Sequence, residues 1–186
     1  MIHTLLVLSI LAATPDGMAP LPAQYLQAGM FNSPDGWFSI HSPDGSEWFE
    51  MRRFDGDADP RWPDGAHSSV AWYMRNPKMP GSVVVLEQYG AGAPMLDDAY
   101  LDDLEGNIRK THPGEMISEF SAELITRPVE GIRFSYKKTE KGSAEYRFWY
   151  ITGWEHKVFL YADSATPSEP KRLTQMAQSF RWLKMP

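Results

Sequence analysis

Three observations predict an α+β fold in which helices pack on an antiparallel β-sheet. Apolar residues alternate at a period of two through much of the chain, and two segments switch to helical spacing. The strand candidates follow one another across turns instead of alternating with helices, as a doubly wound parallel sheet would require. No linker-like stretch interrupts the pattern after the first 30 residues, so residues 20–186 are expected to form a single domain.

Residues 37–41 (Trp-Phe-Ser-Ile-His) and 47–52 (Glu-Trp-Phe-Glu-Met-Arg) predict a β-hairpin across a Pro-Asp-Gly turn. Residues 55–66 form a loop rich in Asp, Pro and Gly, and two further strands are expected at 70–75 and 82–89, separated by a loop at 76–81. Gly90 to Pro94 end the second of these strands, and Leu101, Leu104 and Ile108 then share one face of a helix. An acidic start and the Arg109-Lys110 end suit the dipole of that helix, and His112-Pro113-Gly114 stop it.

Alternation resumes at residue 115 with four successive strands, expected to form a meander. They are marked by Met116, Phe120 and Leu124, by Ile132, Phe134 and Tyr136, by Tyr146, Phe148 and Tyr150, and by Val158 and Leu160. Trp149, Ile151, Phe159 and Tyr161 supply a second apolar face, which places the third and fourth of these strands centrally. A last helix begins near Ser168-Glu169-Pro170 and turns Leu173, Met176, Ala177 and Phe180 inward. Pro-Asp-Gly occurs at 15–17, 34–36, 43–45 and 63–65; the irregular spacing indicates turn chemistry and not a repeat.

Composition limits the function classes. Residues 20–127 hold 8 Lys and Arg against 17 Asp and Glu, and residues 128–186 hold 10 against 6, so the two parts carry −9 and +4. That balance does not suit non-specific nucleic-acid binding, which needs a basic surface to neutralise phosphates. The chain has no Cys, which excludes disulfides, thiolate catalysis, thiolate zinc sites and lipid attachment at cysteine. The apolar run at residues 4–13 is too short to cross a bilayer and has the length of a signal-peptide core. Residues 1–19 therefore read as a signal peptide cleaved near Ala19, and the protein as exported, periplasmic or extracellular, with no integral membrane segment in the mature chain.

The motifs that could carry chemistry are few. Asp55, Asp57 and Asp59 occupy the first side-chain ligand positions of a calcium loop, yet Pro60 and Ala66 stand where an EF-hand needs Gly and Glu. A solvated loop is the simpler reading, with calcium as the alternative. Asp97, Asp98, Asp102, Asp103 and Glu105 crowd the start of the first helix, where acids stabilise the dipole or could form a docking patch. His41, His67, His112 and His156 show no metal-ligand spacing and read as structural or exposed. Gly142-Ser143-Ala144 is not a nucleophile elbow, and no phosphate-loop Lys follows Gly90 to Pro94. Trp62 and Trp154 sit in loops, where a Trp can anchor a partner or cover the rim of the core.

The Gly-Trp-Phe-Ser-Ile strand at 36–40, the strands at 131–136, 147–152 and 158–162, and the closing helix at 171–181 with Ser179-Phe180 together resemble the PsbP/Mog1-like superfamily. The resemblance spans most of residues 20–186 loosely, through structural motifs, and the loop at 55–66 has no counterpart in it. It implies an α/β/α sandwich and an accessory or adaptor role, as in photosystem assembly, on a small GTPase, or among bacterial exported proteins and secretion chaperones. It supplies no catalytic residues. The expectation is an exported, non-enzymatic accessory or binding protein without a cofactor, holding a protein partner or envelope component. A module stacking sugars or apolar compounds on Trp62 or Trp154 is the alternative, and an unrecognised hydrolase a third reading.

Overall fold

The alternating segments become strands of two antiparallel sheets. The computed structural model describes residues 18–54, 68–76, 79–89, 96–111, 116–140, 142–153 and 156–184. The large sheet contains β1 (Ala19–Pro20), β5 (Glu47–Phe54), β6 (Ser68–Asn76), β7 (Met79–Tyr89), β8 (Met116–Ile125), β9 (Gly131–Glu140), β10 (Ser143–Gly153) and β11 (His156–Ser164). The small sheet contains β2 (Leu26–Gln27), β3 (Met30–Asn32), β4 (Phe38–His41) and β12 (Arg181–Trp182). Helix α1 (Asp98–Thr111) joins β7 to β8, and α2 (Lys171–Ser179) joins β11 to β12.

The large sheet runs in the order β1-β5-β6-β7-β11-β10-β9-β8. Two meanders, β5-β6-β7 and β8-β9-β10-β11, meet where β7 pairs with β11. The expected four-strand meander is thus present, with β10 and β11 inside the sheet. Because side chains alternate along a strand, these two strands feed a core on each face. Phe148, Val158, Leu160 and Ala162 join the core that holds α2 (Leu173, Met176, Ala177) and the small sheet (Phe31, Phe38, Ile40). Trp149, Ile151, Phe159 and Tyr161 join the core that holds Leu104 and Ile108 of α1.

The expected hairpin of residues 37–41 with 47–52 does not form. β4 pairs with β3 and β12 in the small sheet, whereas β5 pairs with β1 and β6 in the large one. Between them Ser46 N–H donates to Pro43 O at 3.0 Å, with Gly45 at φ +78°, and the Trp48 indole donates to Ser42 Oγ at 2.8 Å. The turn therefore carries the chain from one sheet to the other instead of folding it back. Phe31 stacks on Trp48 at 4.2 Å across that junction, so the two strands share a core without sharing a ladder.

Two more expectations shift. The loop at 76–81 is shorter than expected, since β6 extends to Asn76 and β7 starts at Met79. In β8 the spacing Met116, Phe120, Leu124 does not mark one buried row. A bulge between Ser118 and Ser121, with Glu119 at φ +51°, changes the phase of the strand. Ile117 is buried before the bulge, Phe120 and Ala122 pack inward after it, and Met116 and Leu124 stay exposed at the edge.

Candidate functional site

Glu87 and His156 form the most deeply buried acid–base pair among the described residues. Val83 to Leu86 are buried on both faces of β7, and this apolar run continues directly into Glu87 with no polar break. Val158 of β11 lies opposite Glu87, so His156, two residues earlier, is its diagonal neighbour on the same face. His156 Nε2 and Glu87 Oε1 share a hydrogen bond of 2.6 Å, with the two side chains 5% and 0% exposed. A carboxylate removed from water in this way is tolerable only when such a bond compensates its desolvation.

Two tryptophans at the ends of small-sheet strands pack on the imidazole. Trp37, just before β4, lies 4.3 Å from the His156 ring, and Trp182 of β12 meets that ring edge-on at 5.6 Å. Lys184 Nζ sits 5.1 Å over the Trp37 ring and donates to Asp35 O at 2.6 Å. Gly153 has φ +95°, and a Cβ there would lie 1.9 Å from His156 O and 2.9 Å from Trp182 Cζ2. Only glycine lets the β10–β11 turn approach this closely. With the imidazole itself buried against Glu87, what the arrangement can offer a ligand is the half-buried indole surface of Trp37 and Trp182.

A second polar group lies on the opposite face. Tyr136, Arg147 and Asp163 fall in one cross-strand row of β9, β10 and β11. Arg147 Nε is 3.4 Å from Asp163 Oδ1, the guanidinium sits 5.8 Å over the Tyr161 ring, and Tyr161 O–H donates to Asp163. Burial pushes the Asp163 carboxyl up to about 6, against the downward pull of the Tyr161 hydrogen bond and of Arg147. Its proton is therefore held more tightly in the folded chain than in the unfolded one. The stability this supplies is full below the ordinary carboxyl pKa of 3.8 and is lost as pH rises from there through about 6. Urea titrations should show this component of the pH dependence, and Asp163→Asn should remove it. An unchanged profile in the variant would overturn the assignment.

A third group fixes α2 to the sheet. Glu169 Oε1 accepts from Tyr150 O–H at 2.9 Å and Thr174 Oγ1 at 2.6 Å, while Arg133 Nη2 donates to Oε2 at 2.7 Å. Burial and the neighbouring Glu169 hold the Tyr150 phenol above its usual range. These bonds lie at the junction of helix and sheet, and they hold α2 in place.

Asp55, Asp57, Asp59, Trp62 and Trp154 lie outside the described residues, as do His67 and His112. Among the described residues no group of three His, Asp or Glu side chains is arranged to hold a metal ion. Of the acids on α1, Asp97 caps the helix by accepting from Tyr100 N–H at 3.0 Å, Glu105 pairs with Arg109, and Asp98, Asp102 and Asp103 are exposed. The Glu87–His156 pair was not foreseen, because 69 residues separate its members and no local spacing marks them. One signal was present, namely a Glu within the apolar run of a strand buried on both faces.

No family model matches this chain. No curated protein matches it. A crystal structure of a protein from Bacteroides thetaiotaomicron VPI-5482 is similar at 18% identity, with a TM-score of 0.53 over 84% of this chain. This chain spans about half the length of that protein, 48% of it being covered, and the likeness concerns the fold alone. The described residues define a mainly antiparallel fold of two sheets and two α-helices. Among the described residues no helix is long and apolar enough to cross a membrane.

Proposed function

We propose that this protein is an exported, non-enzymatic accessory or binding protein of the PsbP/Mog1-like kind, a sandwich with one helix on each side of its main sheet. One observation carries the reading: the ionisable groups that the fold buries are bonded to one another and not gathered around an open cleft. Glu87 with His156, Arg147 with Asp163 and Glu169 with Arg133 are each paired inside the structure or at a helix–sheet junction, the pattern of a scaffold whose function lies on its surface. The resemblance in sequence motifs supports the superfamily, and the apolar run at residues 4–13 supports export. Affinity purification of the C-terminally tagged protein from its host's envelope fraction, after mild cross-linking, should recover one stoichiometric partner. Recovery of the protein alone in good yield, or of a mature chain still starting at Met1, would overturn the partner or the export reading respectively.

The Trp37–His156–Trp182 cluster favours a second reading, a module that stacks sugars or apolar compounds. On that reading a binding ligand shifts the tryptophan fluorescence, and Trp37→Ala weakens binding at least tenfold, about 1.4 kcal/mol. A panel of oligosaccharides and apolar dyes that gives no saturable shift would dismiss it.

A further inference from the structure

We infer that the β8 edge of the large sheet, from Ser121 to Ile125, takes up an extended basic peptide as an added antiparallel strand. The inference rests on the accessory-protein reading and names the surface and the chemistry of the partner.

The two edges of the large sheet are unlike. One ends in the two-residue strand β1, whereas the other is the ten-residue β8, with no further strand beyond it among the described residues. A long edge strand presents unpaired backbone groups that can pair with another chain, and proteins commonly blunt it with bulges and charge. In β8 the blunting covers the first half only. The bulge at Ser118–Ser121 interrupts the ladder, and Arg109 Nη1 occupies the Ile117 carbonyl at 2.6 Å. From Ser121 to Ile125 the register with β9 is regular.

The side chains of this edge specify a partner. Large apolar residues are exposed at three described positions, Met116 (63%), Leu124 (43%) and Leu183 (53%), and two of the three lie on β8. On the sheet face that carries Arg133 and Lys137 of β9, the outermost row is acidic. Glu123 lies 3.2 Å from Arg133 and Glu119 lies 2.9 Å from Lys137, with both carboxylates more than half exposed. Arg133 is shared with Glu169, so its charge is divided between two acids. A second copy pairing antiparallel about Ser121 would set Glu119 against Glu123, a like-charge contact that disfavours self-association. A strand with Lys or Arg beside Glu123 and an apolar residue beside Leu124 meets both features, with main-chain bonds supplying affinity and alternate side chains specificity.

The test uses the full chain and a fluorescein-labelled nine-residue peptide of alternating lysine and valine. Polarisation should show saturable binding that weakens with salt, no binding of the glutamate–valine counterpart, and loss of binding when alternate peptide amides are N-methylated. The Glu119→Gln/Glu123→Gln variant, which removes the acids without setting new cations against Lys137 and Arg133, should bind several-fold more weakly while keeping the wild-type circular dichroism and a cooperative melting transition. If that variant does not fold, Leu124→Ser serves in its place and should also weaken binding. Equal binding of both peptides, indifference to N-methylation, or unchanged affinity in a folded variant overturns the assignment. A concentration-dependent dimer lost in the variant would assign the edge to a second copy instead, and overturns it too. If cross-linking recovers a partner equally with wild type and variant, the edge assignment fails and the accessory reading stands; if neither partner nor peptide binds, both fail.

Discussion

His156→Ala is expected to lower the free energy of unfolding by about 3–5 kcal/mol, the combined cost of breaking a buried hydrogen bond and of the cavity left by a large buried side chain. Glu87 is fully buried, and its Oε1 is held by the imidazole at 2.6 Å. Without the ring, the buried carboxyl group loses a short hydrogen bond that water cannot readily replace. The Ala variant also opens space between Trp37 and Trp182, both of which contact the imidazole. Urea denaturation followed by far-ultraviolet circular dichroism gives the number directly. Replacing both members at once with Leu should recover much of the loss, because both polar groups are then replaced by apolar ones. A single-variant loss below about 1 kcal/mol would show that the pair contributes no more than an exposed one does.

Phe38→Ala is expected to cost about 3–5 kcal/mol, as large-to-small changes of a buried aromatic do. Phe38 of β4 is fully buried, stacks on Phe180 at 5.4 Å and meets Phe31 at 5.9 Å. Through Phe31 and Trp48 it is linked to the large sheet, and through Phe180 to the end of α2. The variant therefore tests whether the small sheet belongs to the same cooperative unit as the large one. A single unfolding transition, shifted alike by tryptophan fluorescence and circular dichroism, is the expected result. Two separated transitions would mean that the small sheet unfolds by itself.

Much of the architecture was legible in local pattern. The helix carrying Leu104 and Ile108, the helix carrying Leu173 and Met176, and the meander from β8 to β11 were all readable from spacing. The two-faced burial of β10 and β11 was readable as well, since apolar residues on both parities of a strand leave it no solvent face. Turn chemistry was also local. Gly36 N–H donates to Ser33 O at 2.8 Å and Ser46 N–H to Pro43 O at 3.0 Å, so both Pro-Asp-Gly segments within the described residues form turns.

The candidate site was far less legible. A hydrogen bond between Glu87 and His156 depends on β7 and β11 being neighbours, a pairing that no turn between them encodes. The separation of β4 and β5 into different sheets was unreadable for a related reason. Adjacent strands joined by a tight turn usually pair with each other, and the turn at 43–46 would serve a hairpin equally well. Which sheet each strand joined was settled by partners far along the chain, Arg181–Trp182 for β4 and β6 for β5.

The sequence by itself determined the two helices, the long strands and the turns between them, and the faces most of them bury, β8 excepted, because hydrophobic period and turn residues act within a few positions of one another. It also excluded cysteine chemistry outright. Only the tertiary structure decided that there are two sheets, that β8 lies at an edge with Leu124 and Met116 exposed, and that Glu87 meets His156 beneath two tryptophans. Those features depend on strand order, and strand order is set by the joint packing of side chains from distant segments, for which a period along the chain carries no information.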